Sequence, residues 1–330
     1  MHLLQIKYRP HLFFLIWVVG LIACSFSEAD KKSRVINPQP IPEFSIPERS
    51  AGKNYVCFIA IGDQGAGGRG QKHVAHLMNE KARQDSLHFI LTLGDNFYND
   101  GVTSTSDRQW LEKFEAMYDL PHLEVPFYPT LGNHDHHFGN ARHQVEYSRK
   151  NEQWRMPHNY YTFSKKIDSS ASIQFFALDT QRLKDRETND LAQVDWLERE
   201  LRASTATWKI VYGHHPLFSY GDHGNVRRMI ELVQPLLEKY TVDAYVAGHD
   251  HDRQLLGPVN GIYYIISGTG SKSRDTSYDE MTIFAGTNLG FAWFRVSAGE
   301  MHVQFIEANG QVEYAQTWAK GMLQSELSIR

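Results

Sequence analysis

Two cysteines in 330 residues are too few for a disulfide framework or a thiolate zinc site. There is no basic excess either. Thirty-four Lys and Arg face 38 Asp and Glu, for a formal net charge of −4. Nucleic-acid binders normally carry a basic excess, so no nucleic-acid partner is expected. The apolar run at residues 12–23 falls short of the roughly 20 residues that a membrane-spanning helix needs. No internal repeat is visible. With 42% hydrophobic and 22% charged residues the chain has ordinary globular composition, which removes disordered and collagen-like classes. What stands out is histidine: 17 residues, several of them clustered.

The N-terminus reads as an address. Lys7 and Arg9 precede the apolar run, the layout of a secretory signal peptide. The run closes on Leu21-Ile22-Ala23-Cys24, which resembles a bacterial lipobox. That resemblance implies cleavage before Cys24 and lipidation of its thiol. Residues 1–23 are therefore expected to be a lipoprotein signal peptide, with an ordinary secretory signal as the alternative. The expected location is across the inner membrane, lipid-anchored at the outer membrane or at the periplasmic or cell-surface face. Residues 24–54, with Pro38, Pro40, Pro42 and Pro47, read as a semi-extended tether.

From residue 55 onward apolar runs alternate with helical spacing. Strands are expected at 56–61, 88–93, 127–131, 172–178, 209–212, 244–247, 261–266, 289–296 and 300–306. Helices are expected at 70–81, 108–118, 190–202 and 226–239, the last interrupted by Pro235. This alternation predicts a layered α/β fold with partly antiparallel sheets. One domain is expected over 55–315, followed by a tail at 316–330.

Sites in such folds form just beyond the carboxyl ends of strands. Five expected strand ends carry GDQG (62–65), GDNFY (94–98), GNHD (132–135), GHHP (213–216) and GHDH (248–251). Asp63, Asp95, Tyr98, Asn133, His214, His249 and His251 are hard or borderline donors, suited to iron, zinc or manganese. They exceed what one catalytic zinc needs, and a carboxylate can bridge two ions. The set thus points to a dinuclear site, the usual device for phosphate-ester hydrolysis. Gly65–Gly70 also fits G-x-G-x-x-G. Asp63, just before those glycines, would repel a pyrophosphate, so a dinucleotide site is rejected.

The five motifs resemble those of the calcineurin-like metallophosphoesterases. Tyr98 narrows the resemblance to the purple acid phosphatases. GDNFYNDGV, FGNARHQVEYS and the Ile265-Ile266-Ser267-Gly268 run are similar to the small, mammalian-type tartrate-resistant acid phosphatases, here with a bacterial lipobox. The resemblance implies a sandwich of two mixed β-sheets flanked by helices. It implies that Asp63, Asp95, Tyr98 and His251 hold Fe(III). Asp95 would bridge to a second ion, Fe(II), Zn or Mn, completed by Asn133, His214 and His249. His134 and His223 would bind phosphate and protonate the leaving group, and Asp135 would orient His134. The roles of His136, His137 and His215 stay open.

The implied activity is acid phosphatase action on small phosphate monoesters, by attack of a metal-activated hydroxide. A tyrosine with a free pKa of about 10 becomes a ligand only beside a strong Lewis acid, which agrees with ferric iron. Two alternatives remain: a phosphodiesterase or nucleotidase on the same scaffold, and a metal-binding surface lipoprotein with little turnover. A monomer is expected.

Overall fold

The computed structural model describes residues 54–185 and 190–321. The expected signal peptide with Cys24, nearly all of the tether and the end of the tail lie outside these residues. The strands, in chain order, are β1 (Val56–Ile61), β2 (Phe89–Leu93), β3 (Phe127–Thr130), β4 (Tyr161–Lys166), β5 (Ser172–Ala177), β6 (Trp208–Tyr212) and β7 (Ala244–Ala247). They continue with β8 (Arg253–Val259), β9 (Ile262–Ser267), β10 (Thr282–Gly286), β11 (Gly290–Val296), β12 (Glu300–Glu307) and β13 (Val312–Ala319).

Two mixed sheets result. One has the order β13-β12-β11-β1-β2-β3, the other β10-β8-β9-β7-β6-β5-β4. In the first, β1, β2 and β3 run parallel, and β11 to β13 form an antiparallel meander against β1. In the second, β5, β6, β7 and β9 run parallel. The sequence explains the layering. β1 is apolar at every position and fully buried, as a central parallel strand must be. In β5 the neighbours Phe175 and Phe176 point to opposite faces. Phe175 meets Phe58 and Phe89 edge-on at 5.2 and 5.3 Å between the sheets. Phe176 packs outside, with Leu197, Leu201 and Leu237 of the covering helices.

Helix Arg69–Gln84 buries Val74, Ala75 and Met78 against the first sheet. The expected helix at 108–118 is not one regular α-helix. A π-helical stretch at Leu111–Glu115 interrupts it; Trp110 and Phe114 are buried, and Leu111 between them is exposed. The helix expected at 226–239 is split at Val233, with Pro235 in the first turn of the second piece, where its missing N–H costs nothing.

Four strands were not expected from the sequence: β4, β8, β10 and β13. β4, β10 and β13 are sheet edges. β4 and β13 have one solvated face, so polar residues break their apolar runs. β8 begins with the buried polar pair Arg253 and Gln254 and contains Pro258, which hid it. β13 also runs across the boundary expected at residue 315, so the first sheet extends into the expected tail.

Candidate metal centre

The parallel strands bring five loops to one rim, where backbone bonds tie the loops together. Between the sheets Gly62 donates to the Ser267 carbonyl at 2.8 Å, and within the second sheet Gly248 donates to the His214 carbonyl at 3.0 Å. Asp63, Asp95 and His249 each follow a glycine and each sit at positive φ, at 59°, 53° and 70°. Such backbone is costly for non-glycine residues and collects at functional sites. Gly132 shows why side chains are excluded nearby: a Cβ there would lie 2.1 Å from Asp95 Oδ1.

The expected donors converge in two groups. In the first, the Tyr98 hydroxyl donates to Asp63 Oδ1 at 3.0 Å and lies 3.1 Å from His251 Nε2, which is 3.3 Å from Asp63 Oδ1. In the second, His214 Nε2 lies 3.1 Å from both Asn133 Oδ1 and His249 Nδ1. Asp95 joins the groups. Its Oδ1 is 3.6 Å from His214 Nε2, and Asp63, Asp95 and His214 offer ligand atoms within 4.8 Å of one another. His214 Nδ1–H donates to the Leu93 carbonyl at 2.8 Å, which leaves the Nε2 lone pair for a ligand bond.

These residues fit a pair of cations. Adjacent ligands on an octahedral ion with bonds of about 2.1 Å lie about 3 Å apart, the spacing found here. Burial pushes the Asp63 carboxyl well up, and Asp95 adds to this, although His214 opposes it. Burial also pushes His249 down and His251 down to about 4, toward the neutral imidazole that metals bind. The Tyr98 phenol is pushed far up by burial and by Asp63, so only a strong cation could ionise it.

Around the centre stand the other expected residues. His134 Nε2 is 3.9 Å from Asp95 Oδ2, and the His223 ring meets the His249 ring edge-on at 4.2 Å. One role needs correction. Asp135 does not orient His134. The His134 Nδ1–H donates to the Asn99 carbonyl at 2.5 Å, while Asp135 accepts from the backbone of Gly132, Asn96 and Phe97 at 2.9, 3.1 and 3.2 Å. Its carboxylate points back into the loops rather than toward the imidazole.

The three open histidines separate. His136 turns to Asp179 at 2.8 Å, His137 to Asp100 at 2.9 Å, and His215 is buried between Thr180 and His249. Asp250 was missed as a functional residue. It accepts the His223 backbone N–H at 2.8 Å and a bond from Ser219, and its place inside GHDH was the available signal. Lys272, with its ammonium 4.4 Å over the Tyr98 ring, had no signal in the sequence.

The calcineurin-like phosphoesterase family model matches residues 58–253. Tartrate-resistant acid phosphatase type 5 of Homo sapiens is 34% identical over 286 residues, covering 77% of this chain and 88% of that protein. The chain belongs to the calcineurin-like phosphoesterases, in their purple acid phosphatase branch. Purple acid phosphatase 7 of Arabidopsis thaliana is 32% identical and covers 69% of this chain and 74% of that protein. A further member of this fold is GAP50, the anchor in the inner membrane complex of Plasmodium. It superposes with a TM-score of 0.74 over 84% of this chain and 95% of that one, at 24% identity. At that identity the likeness concerns the fold alone. Purple acid phosphatases carry a dinuclear metal centre, and the two donor groups at this rim are the candidate ligands for one.

Proposed function

We propose that this chain is an acid phosphatase that hydrolyses small phosphate monoesters at a pair of bound metal ions. The observation that carries the reading is the convergence of seven donors, from five separate loops, into two groups linked through Asp95. Asp63, Tyr98 and His251 would hold one ion, Asn133, His214 and His249 the other, and Asp95 would serve both. The Tyr98 phenol favours Fe(III) in the first position. Fe(II), Zn or Mn suits the second. When bound, the pair supplies an activated water for attack at phosphorus and neutralises charge on the phosphoryl oxygens.

The chain's own side chains supply the rest. His134, fixed by the Asn99 carbonyl, presents Nε2 beside Asp95, where it can donate to a phosphoryl oxygen. His223 stands at the exposed side of the centre, with Nδ1 3.6 Å from Asp250 Oδ1. Burial lowers the pKa of the ring and the Asp250 carboxylate opposes that shift; in its protonated form the ring can pass its proton to the leaving alkoxide.

The test is purification, metal analysis and assay in mildly acidic buffer with p-nitrophenyl phosphate and its bis ester. Faster turnover of the monoester, with two metals per chain, is the expected result. Replacement of Tyr98 by Phe should remove a visible absorption band while leaving the fold intact. A chain that binds two metals and leaves both esters untouched would defeat the proposal.

We further propose that Cys24 carries a lipid and anchors the exported protein at the outer membrane or at the periplasmic or cell-surface face. The support is the lipobox-like sequence alone. Labelled palmitate incorporated by the full chain, and lost in Cys24→Ser, is the expected outcome. Equal labelling of both would reject it.

A further inference from the structure

Phe138 is the most exposed large apolar side chain among the described residues, at 87%. It also has left-handed backbone, φ 54° and ψ 20°, which a bulky residue adopts only under constraint. The turn that presents it is pinned. His137 Nδ1 bonds Asp100 Oδ1 at 2.9 Å, Asn140 Nδ2 donates to the Asp100 carbonyl at 2.7 Å, and the Asn140 N–H donates to the His137 carbonyl at 3.1 Å. Neither the exposed ring nor the backbone helps the fold, yet the local bonds hold both in place.

The turn stands on the wall of the candidate metal centre. A ladder of rings climbs out of it: Tyr98 to His134 at 4.6 Å, His134 to His137 at 5.1 Å and His137 to Phe138 at 6.4 Å between centroids. We propose that His137 and Phe138 form an aromatic platform that selects nucleoside 5′-monophosphates, stacking the base while the phosphate sits at the metals. The inference rests on the phosphatase reading and names a substrate class for it. Reach sets the class. The His137 ring stands between His134 and Phe138, at 5.1 and 6.4 Å, so a group bonded directly to a phosphate held beside His134 would meet His134 before Phe138. A ring held one pentose further out arrives at the top of the ladder. Every nucleobase has a π-face, so an aromatic shelf takes all of them. His137 adds an imidazole edge to the same shelf, with its Nδ1 engaged by Asp100.

The experiment compares adenosine 5′-monophosphate with ribose 5-phosphate. Both release the same primary alkoxide, so the base alone separates their kcat/KM values. The native enzyme should prefer the nucleotide by about five- to tenfold. Phe138→Ala and Phe138→Gly should bring the ratio near one, through KM rather than kcat, and Phe138→Trp should keep it. Glycine accepts the left-handed backbone, so folding of that variant is secure. Calorimetric binding of the non-hydrolysable 5′-phosphonate analogue of adenosine should weaken by the same factor in Phe138→Gly, a readout independent of turnover. An unchanged ratio and unchanged phosphonate affinity in Phe138→Gly would overturn the platform, as expected if the ring instead docks a protein. Failure to hydrolyse any monoester would remove the phosphatase reading, and the phosphonate titration would still decide the platform.

Discussion

The carboxylate of Asp135 accepts the backbone N–H of Asn96 at 3.1 Å, joining the loop after β3 to the loop after β2. The same carboxylate holds Gly132 and Phe97 and receives Gln144 Nε2 at 2.7 Å. Asp95 and Asn133, on these two loops, are thereby fixed relative to each other. Burial and the nearby Asp95 raise the Asp135 carboxyl to about 6, so its bonds compensate a real desolvation cost.

Asp135→Asn places an amide N–H against one of these backbone donors. The expected cost is about 2–3 kcal/mol, with weaker metal retention. Denaturant melts and metal stoichiometry after dialysis measure the two effects. Unchanged values in both would show that the clamp is dispensable.

Gly132→Ala tests the close approach to Asp95. The added Cβ meets Oδ1 at 2.1 Å and must displace the loop or the carboxylate. We expect metal content to fall at least tenfold in affinity, with the far-UV circular dichroism of the native protein, since the sheets lie below this loop. Metal titration by calorimetry is the check.

His223→Asn removes the proposed proton donor and spares the proposed metal ligands. The rate on alkyl phosphates should drop by about a hundredfold or more. On p-nitrophenyl phosphate, whose leaving group needs little protonation, the loss should be much smaller. Equal losses on both esters would argue against proton donation.

His302 links acid to stability. Burial, with Arg295 and Lys81 nearby, lowers its pKa to about 4. The unfolded chain binds this proton below about 6.5 and the folded chain only near 4. Stability from this residue is therefore intact above 6.5 and declines as the pH falls toward 4, by about 2–3 kcal/mol. His302→Gln should flatten that part of the curve. Melting temperatures across the range would reveal it, and parallel curves would refute it.

The candidate site was legible because each of its seven proposed donors lies in a short motif just after an apolar run. A strand end followed by glycine and a ligand-type side chain is a local pattern, and five of them survive in one linear reading. The central strands were legible for the same reason. β1 and β2 are buried on both faces and write themselves as unbroken apolar runs. The edges β4 and β13 carry polar residues on a solvated face, and their pairing partners define them.

Sequence alone determined the inventory: the donors, their spacing along the chain, and the alternation of strands and helices. Those features follow from local chemistry and from periodicity. Only the tertiary structure decided orientation. It turned Asp135 toward backbone instead of His134, set Asp250 beneath His223, and raised Phe138 on a strained turn at the end of a ring ladder. Such directions come from loops packed against loops across two sheets, and contacts between residues dozens of positions apart leave no periodic trace in a linear chain.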